Sequence, residues 1–227
     1  MAPPKFAPDL DLPPRLQRRL DNWRKDVPKW QHQMYGPLNS YLTIKFPPDK
    51  FIVKPQCLLR EEIATVEEDW EEGVSMDSID SHGQPVGDTR LFPDFCIDQY
   101  WGADNDRNPR ADVIRVIIEV GSKETGSIRK KTSKNAIINQ LRGYMQLAGP
   151  QRWQGRLLGV AMLGAEVFLL EMRDVSAKEA TTLSSRKNPC HRPQPVLSSK
   201  KSPWIKMFDP RFEAEMERMY QFSLAND

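Results

Sequence analysis

The chain has 227 residues, 39% hydrophobic and 28% charged, with 33 Lys or Arg against 31 Asp or Glu for a formal net charge of +2. That length can bury a core in one domain with segments appended, and the composition is far from that of a disordered chain. No apolar run approaches the ~18 residues of a membrane span, and three scattered Cys with three His exclude a disulfide framework and a Cys/His zinc site. The opening Met1-Ala-Pro-Pro-Lys5 lacks the apolar core of a secretory signal. The expected protein is intracellular, nuclear or cytoplasmic rather than secreted, with no membrane partner.

Residues 1–14 hold five prolines and little that could pack, which predicts a flexible leader. From Arg15 the pattern turns helical, with Leu16, Leu20 and Trp23 at i, i+4, i+7. Pro28 suits the first turn of a second helix, which Gly36-Pro37 should end or break. A further short helix is expected over Leu38, Tyr41 and Leu42, stopped by Phe46-Pro47-Pro48. Leu59, Ile63, Val66 and Trp70 give the clearest helical stripe of the first half, with Glu62 at its edge.

Val74–Asp80, a turn over Ser81–Pro85, and Thr89–Gln99 form a hairpin signature in which Pro93 demands an edge, a bulge or a strand end. Val113–Val120 is apolar on both parities apart from Arg115 and Glu119, as in a strand buried between two layers. Asn135–Leu147 reads as a helix with Ile137, Ile138, Leu141, Tyr144 and Met145 on its apolar face, ended by Gly149-Pro150. Arg156–Leu163, Gly164-Ala165 and Glu166–Glu171 read as strand, tight turn, strand. Residues 174–203, rich in Ser, Lys, Pro and Thr, predict a disordered insertion, and Phe212–Phe222 a closing helix. The order implies an α/β fold, a mixed central sheet flanked by helices.

The small net charge conceals segregation. Residues 1–60 carry 11 basic and 5 acidic side chains, a balance of +6. Residues 61–106 carry 14 acidic and one basic, −13, and residues 107–227 carry 21 basic and 12 acidic, +9. Such a layout is either a set of solvated faces or a cation site beside an anion-binding surface.

Two acidic residues stand out. Glu119 interrupts the run Val-Ile-Arg-Val-Ile-Ile-Glu-Val, where a buried carboxylate costs several kcal/mol unless paired or bound to metal. A bridge to Arg115 or an exposed strand end would account for it. Asp94 follows Pro93 inside Leu91-Phe-Pro-Asp-Phe-Cys-Ile97, where a turn role would suffice. Read together, a Pro-Asp at one strand end, a carboxylate on the next strand, then a helix and a strand resemble the PD-(D/E)XK nuclease superfamily. The resemblance covers Leu58 to Glu171. Gln140-Leu-Arg-Gly-Tyr144 adds the Gln-x-x-x-Tyr spacing of the RecB-like exonuclease branch, on the helix after the catalytic strand.

The resemblance implies a restriction-endonuclease-like core over 58–173, preceded by a helical extension over 15–57 and followed by a C-terminal helix (204–227) packed on it. It implies a divalent-metal-dependent nuclease hydrolysing phosphodiester bonds in DNA or RNA, with Asp94 and Glu119 as hard oxygen ligands for Mg²⁺ or Mn²⁺, one ion or two. Glu62 would supply an additional carboxylate, with Glu68 the less favoured alternative. Gln140 and Tyr144 would line the site from one helix face, though core packing accounts equally well for Tyr144. A homodimer is left open.

The chain departs from the motif at its lysine, because Gly121 stands where acid-x-Lys requires that side chain. Strand periodicity puts residues 119, 121 and 123 on one face, so Lys123 is the substitute if the strand continues. Arg129, Lys130, Lys131 and Lys134 are further candidates. The alternative is a catalytically inactive relative that binds nucleic acid or protein without cutting.

Overall fold

The computed structural model describes residues 5–57, 92–100, 112–121, 134–148, 155–173, 196–197 and 204–226. Helices α1 (Pro14–Asn22) and α2 (Gln31–Lys45) lead into strands β1 (Phe51–Pro55), β2 (Phe95–Gln99) and β3 (Val113–Gly121). Then come helix α3 (Lys134–Leu147), strands β4 (Arg156–Leu163), β5 (Glu166–Arg173), β6 (Val196–Leu197) and β7 (Ile205–Lys206), and helix α4 (Pro210–Ala225). The described strands form one sheet in the order β1-β2-β3-β4-β5-β6, with β7 also pairing β5. Only β3 and β4 run parallel, and α3 lies between them in the chain. The other pairs are antiparallel. The fold is α/β, a mixed sheet flanked by helices.

β3 sits near the middle of this order and is buried at all nine positions. Its β-branched run suits a pleat covered on both faces. Val116, Ile118 and Val120 point into one core with residues of α1, α2 and α4, including Leu20, Leu38 and Met216. Ile117 points into the other, against Ile137, Leu141 and Met145 of α3. The pairing of β2 with β3 shifts register between Ile97 and Asp98. Below that irregularity Arg115 turns toward α4, donating Nε to Gln99 Oε1 at 2.7 Å and lying 5.3 Å from the Phe222 ring centroid.

Three expectations change on contact with the structure. First, α2 runs unbroken through Gly36-Pro37. Pro37 removes one backbone donor, but it is buried with Met34, Leu38, Tyr41 and Leu42, and packing along that face outweighs the break. Second, residues 5–14 are no flexible leader. Phe6 is 2% exposed, with its ring against Tyr41, Phe208 and Phe212. Third, the boundary at residue 57 does not separate an extension from a core, because β1 pairs with β2 and α2 covers one face of the sheet.

Within 174–203 the described residues Val196–Leu197 pair with β5. The remainder lies outside the described residues, as do the helical stripe over 59–70 and the first arm of the expected hairpin. The second arm is strand only from Phe95, so Pro93 precedes the strand rather than interrupting it.

Candidate functional site

Asp94 and Glu119 meet at the end of the β2–β3 pair. Phe95 lies opposite Ile118, so continuing the antiparallel register by one step sets Asp94 beside Glu119. The two residues are tied reciprocally. Asp94 Oδ2 accepts from the Val120 N–H at 2.6 Å, and the Glu119 carboxyl accepts from the Asp94 backbone N–H. Both side chains are buried, each at 6% exposure.

Donors are distributed unequally between them. Asp94 Oδ1 accepts from Gln31 Nε2 at 2.8 Å and from the Tyr35 hydroxyl, both on α2. Glu119 Oε2 is buried with no hydrogen-bond partner among the described residues. Burial, then the neighbouring Asp94 charge, push the Glu119 carboxyl up to about 9. Burial also raises Asp94, but donors from Tyr35, Val120 and Gln31 oppose that rise. The donors around Asp94 thus favour its charged form, whereas burial and the neighbouring charge favour the protonated form of Glu119.

The other buried carboxylates are treated differently. Asp98 has Lys54 Nζ at 2.7 Å. Glu171 has Arg156 at 3.2 Å and Arg218 at 3.1 Å. Among the described residues, no lysine or arginine pairs with Asp94 or Glu119. Arg115 goes to Gln99 rather than bridging to Glu119. Lys134 is held elsewhere, 3.2 Å from Glu166 and over the Trp204 ring.

Two Gln-x-x-x-Tyr pairs approach this point from opposite faces of the sheet. On α3, Gln140 Nε2 donates to the Tyr144 hydroxyl at 2.6 Å, and that hydroxyl donates to the Phe92 carbonyl at 3.3 Å. Burial and then the Glu119 charge raise the Tyr144 phenol to about 12. On α2, Gln31 Nε2 lies 2.6 Å from the Tyr35 hydroxyl. Burial, then Asp94 and Glu119, raise the Tyr35 phenol further. The fold thus brings Asp94, Glu119, Gln140 and Tyr144 together and adds Gln31 and Tyr35. The added pair carries the same i, i+4 spacing in plain sight, at Gln31-His-Gln-Met-Tyr35.

Gly121 is the last residue of β3, paired with Leu163 of β4 and on the same face as Glu119. Glu62, Glu68, Lys123, Arg129, Lys130 and Lys131 lie outside the described residues. Among the described residues no group of three or more His, Cys, Asp or Glu is placed to hold a metal. Asp94 and Glu119 nevertheless present hard oxygen atoms from neighbouring strand positions, and Glu119 Oε2 is buried without a hydrogen-bond partner among the described residues. That donor chemistry could hold a small divalent cation with water or substrate completing it. No protein-family model matches the chain, and no curated protein or solved structure matches it either.

Proposed function

We propose that this chain is a divalent-metal-dependent nuclease with a restriction-endonuclease-like core, hydrolysing phosphodiester bonds in DNA or RNA. The observation that carries the reading is a pair of buried carboxylates with no lysine or arginine partner among the described residues, one oxygen of which has no hydrogen-bond partner among them either. Uncompensated burial of this kind is expensive in a structural role and expected in a cation site. Placement at adjacent strand ends, with a Gln-x-x-x-Tyr helix beside them, is what the superfamily resemblance calls for.

In this reading Asp94 and Glu119 would hold Mg²⁺ or Mn²⁺, and the Glu119 carboxyl would release its proton to solvent water in exchange for the cation. Glu62 is the candidate for an added carboxylate. Such an ion, when bound, would offset negative charge on the phosphodiester oxygens and acidify a water for in-line attack. Lys123 would lean across the vacant side-chain position at Gly121 to orient that water and offset charge building on phosphorus. Gln140, exposed on α3, would meet the nucleic-acid strand, while Tyr144 steadies the Phe92 carbonyl two residues before Asp94.

The test is cleavage of single- and double-stranded DNA and RNA with Mg²⁺ or Mn²⁺. Asp94→Ala and Glu119→Ala each lower the rate by more than ~100-fold, beyond the loss usual for residues that only support a metal ligand. Cleavage that survives both substitutions rejects the site. Gly121 at the motif-lysine position favours a second reading, a catalytically inactive domain that binds nucleic acid or protein. Salt-sensitive nucleic-acid binding without cleavage at any metal concentration selects it.

A further inference from the structure

Asp94 is held more firmly than a metal ligand needs to be, and the way it is held restricts what it can offer. A carboxylate has about four lone-pair sites, two on each oxygen. Gln31 Nε2 and the Tyr35 hydroxyl both donate to Oδ1 and fill it. The Val120 N–H takes one site on Oδ2, and no other described residue donates to that oxygen. Gln31 is itself committed, since its amide nitrogen lies 2.8 Å from Asp94 and 2.6 Å from the Tyr35 oxygen. The Tyr35 ring meets Phe95 edge-on with centroids 5.6 Å apart, a contact that favours this placement of its hydroxyl. Donors from a helix and from the central strand thus fix the carboxylate plane from both ends.

We propose that Gln31 and Tyr35 are positioning residues of the metal site, blocking Asp94 Oδ1 so that the cation receives one oxygen, Oδ2, from Asp94 and Oε2 from Glu119. This rests on the metal-site reading above and deepens it. The two Gln-x-x-x-Tyr pairs divide the labour: the α2 pair fixes the ligand's side chain, and the α3 pair holds the backbone at Phe92. One-oxygen coordination suits small ions such as Mg²⁺ or Mn²⁺, whereas Ca²⁺ accepts both oxygens of a carboxylate at longer distances. Blocking Oδ1 is therefore a selectivity device as well as a support. It also makes residues N-terminal to the sheet part of the site.

The experiment measures Mn²⁺ and Ca²⁺ affinity of the full chain at one pH, by calorimetry with the metal salts alone. Tyr35→Phe keeps the ring on Phe95 and removes the hydroxyl. Gln31→Met keeps the side-chain length and removes the amide. Each is expected to weaken Mn²⁺ binding by ~10–100-fold, the usual loss when a ligand's support is removed. Each should also raise the ratio of Ca²⁺ to Mn²⁺ affinity, which a loss of stability alone would not do. Thr43→Ala, on an exposed position of α2, should leave both affinities unchanged. Wild-type Mn²⁺ affinity and ratio in both variants, with binding lost in Asp94→Ala, overturns the positioning role and leaves the metal site standing. Mn²⁺ binding that is absent from wild type, or that survives Asp94→Ala and Glu119→Ala, overturns both.

Discussion

At the scale of single residues, what separates Glu119 from the other buried acids is that no lysine or arginine faces it among the described residues. Asp98 and Glu171 are equally hidden, but each faces a cation at hydrogen-bonding distance. Glu119 faces another carboxylate, and its proton is the cheapest counter-charge within reach. The consequence for stability has a definite sign. With the folded value near 9 and the unfolded value near 4.5, the folded protein binds the extra proton throughout that interval. Stability of the metal-free protein therefore falls as pH rises from about 5 to about 9, by at most ~1.4 kcal/mol per pH unit. Urea denaturation in a chelator across that range checks it. Glu119→Gln, which removes the titration, should flatten the slope, and a slope unchanged by that substitution would assign the loss to another group. A saturating divalent ion should flatten it as well, since the ion replaces the proton as counter-charge.

Among the elements, α3 is positioned by an absent side chain. Gly159 of β4 faces α3, and a Cβ built there would run into Met145 Sδ and come within 3.3 Å of Leu141 Cδ2. Gly159→Ala should cost ~1–2 kcal/mol by overpacking, at the low end because the methionine can partly yield. Pushing α3 off the sheet should also reduce cleavage through Tyr144, and unaltered stability would show that the helix tolerates the displacement. Elements like α3, β3 and the β4–β5 hairpin were legible because long periodic runs end in strong stops, such as Gly149-Pro150 and the Gly164 turn at φ +59°. β1 was not, since Phe51–Pro55 is only five residues long, contains Lys54 and ends on a proline. Continuity of α2 was hidden because tertiary burial of Pro37 overrides a local breaker. The same limit applies to the site. A short motif marked Asp94, Glu119, Gln140 and Tyr144, whereas Gln31 and Tyr35 reach Asp94 from 63 and 59 residues away.

For the whole molecule, the segregated charge acquires a spatial meaning only in part. Part of the N-terminal +6 is carried on segments that cover the sheet, since Phe6, Leu20 and Trp23 anchor them in the core shared with α4. Their outward side is cationic: Arg15, Arg18, Arg19 and Lys29 line a cavity of about 590 Å³ beside α1, where Asp26 supplies the only carboxylate of the lining. The opposite side of α2 carries Gln31 and Tyr35 to Asp94, so one helix borders both the cationic cavity and the carboxylate pair. In the proposed nuclease these cations would be counter-charge for a bound phosphate chain. Binding to metal-free protein should then weaken with salt, each neutralised phosphate adding ~0.9 to the slope of log affinity against log salt on duplex DNA. The double substitution Arg18→Ala and Arg19→Ala should lower that slope by about 2 while leaving the fold intact, because both side chains are exposed. A fluorescence-anisotropy titration over salt measures it directly. An unchanged slope would place the nucleic acid on a different face and reduce the N-terminal charge to solvation of α1.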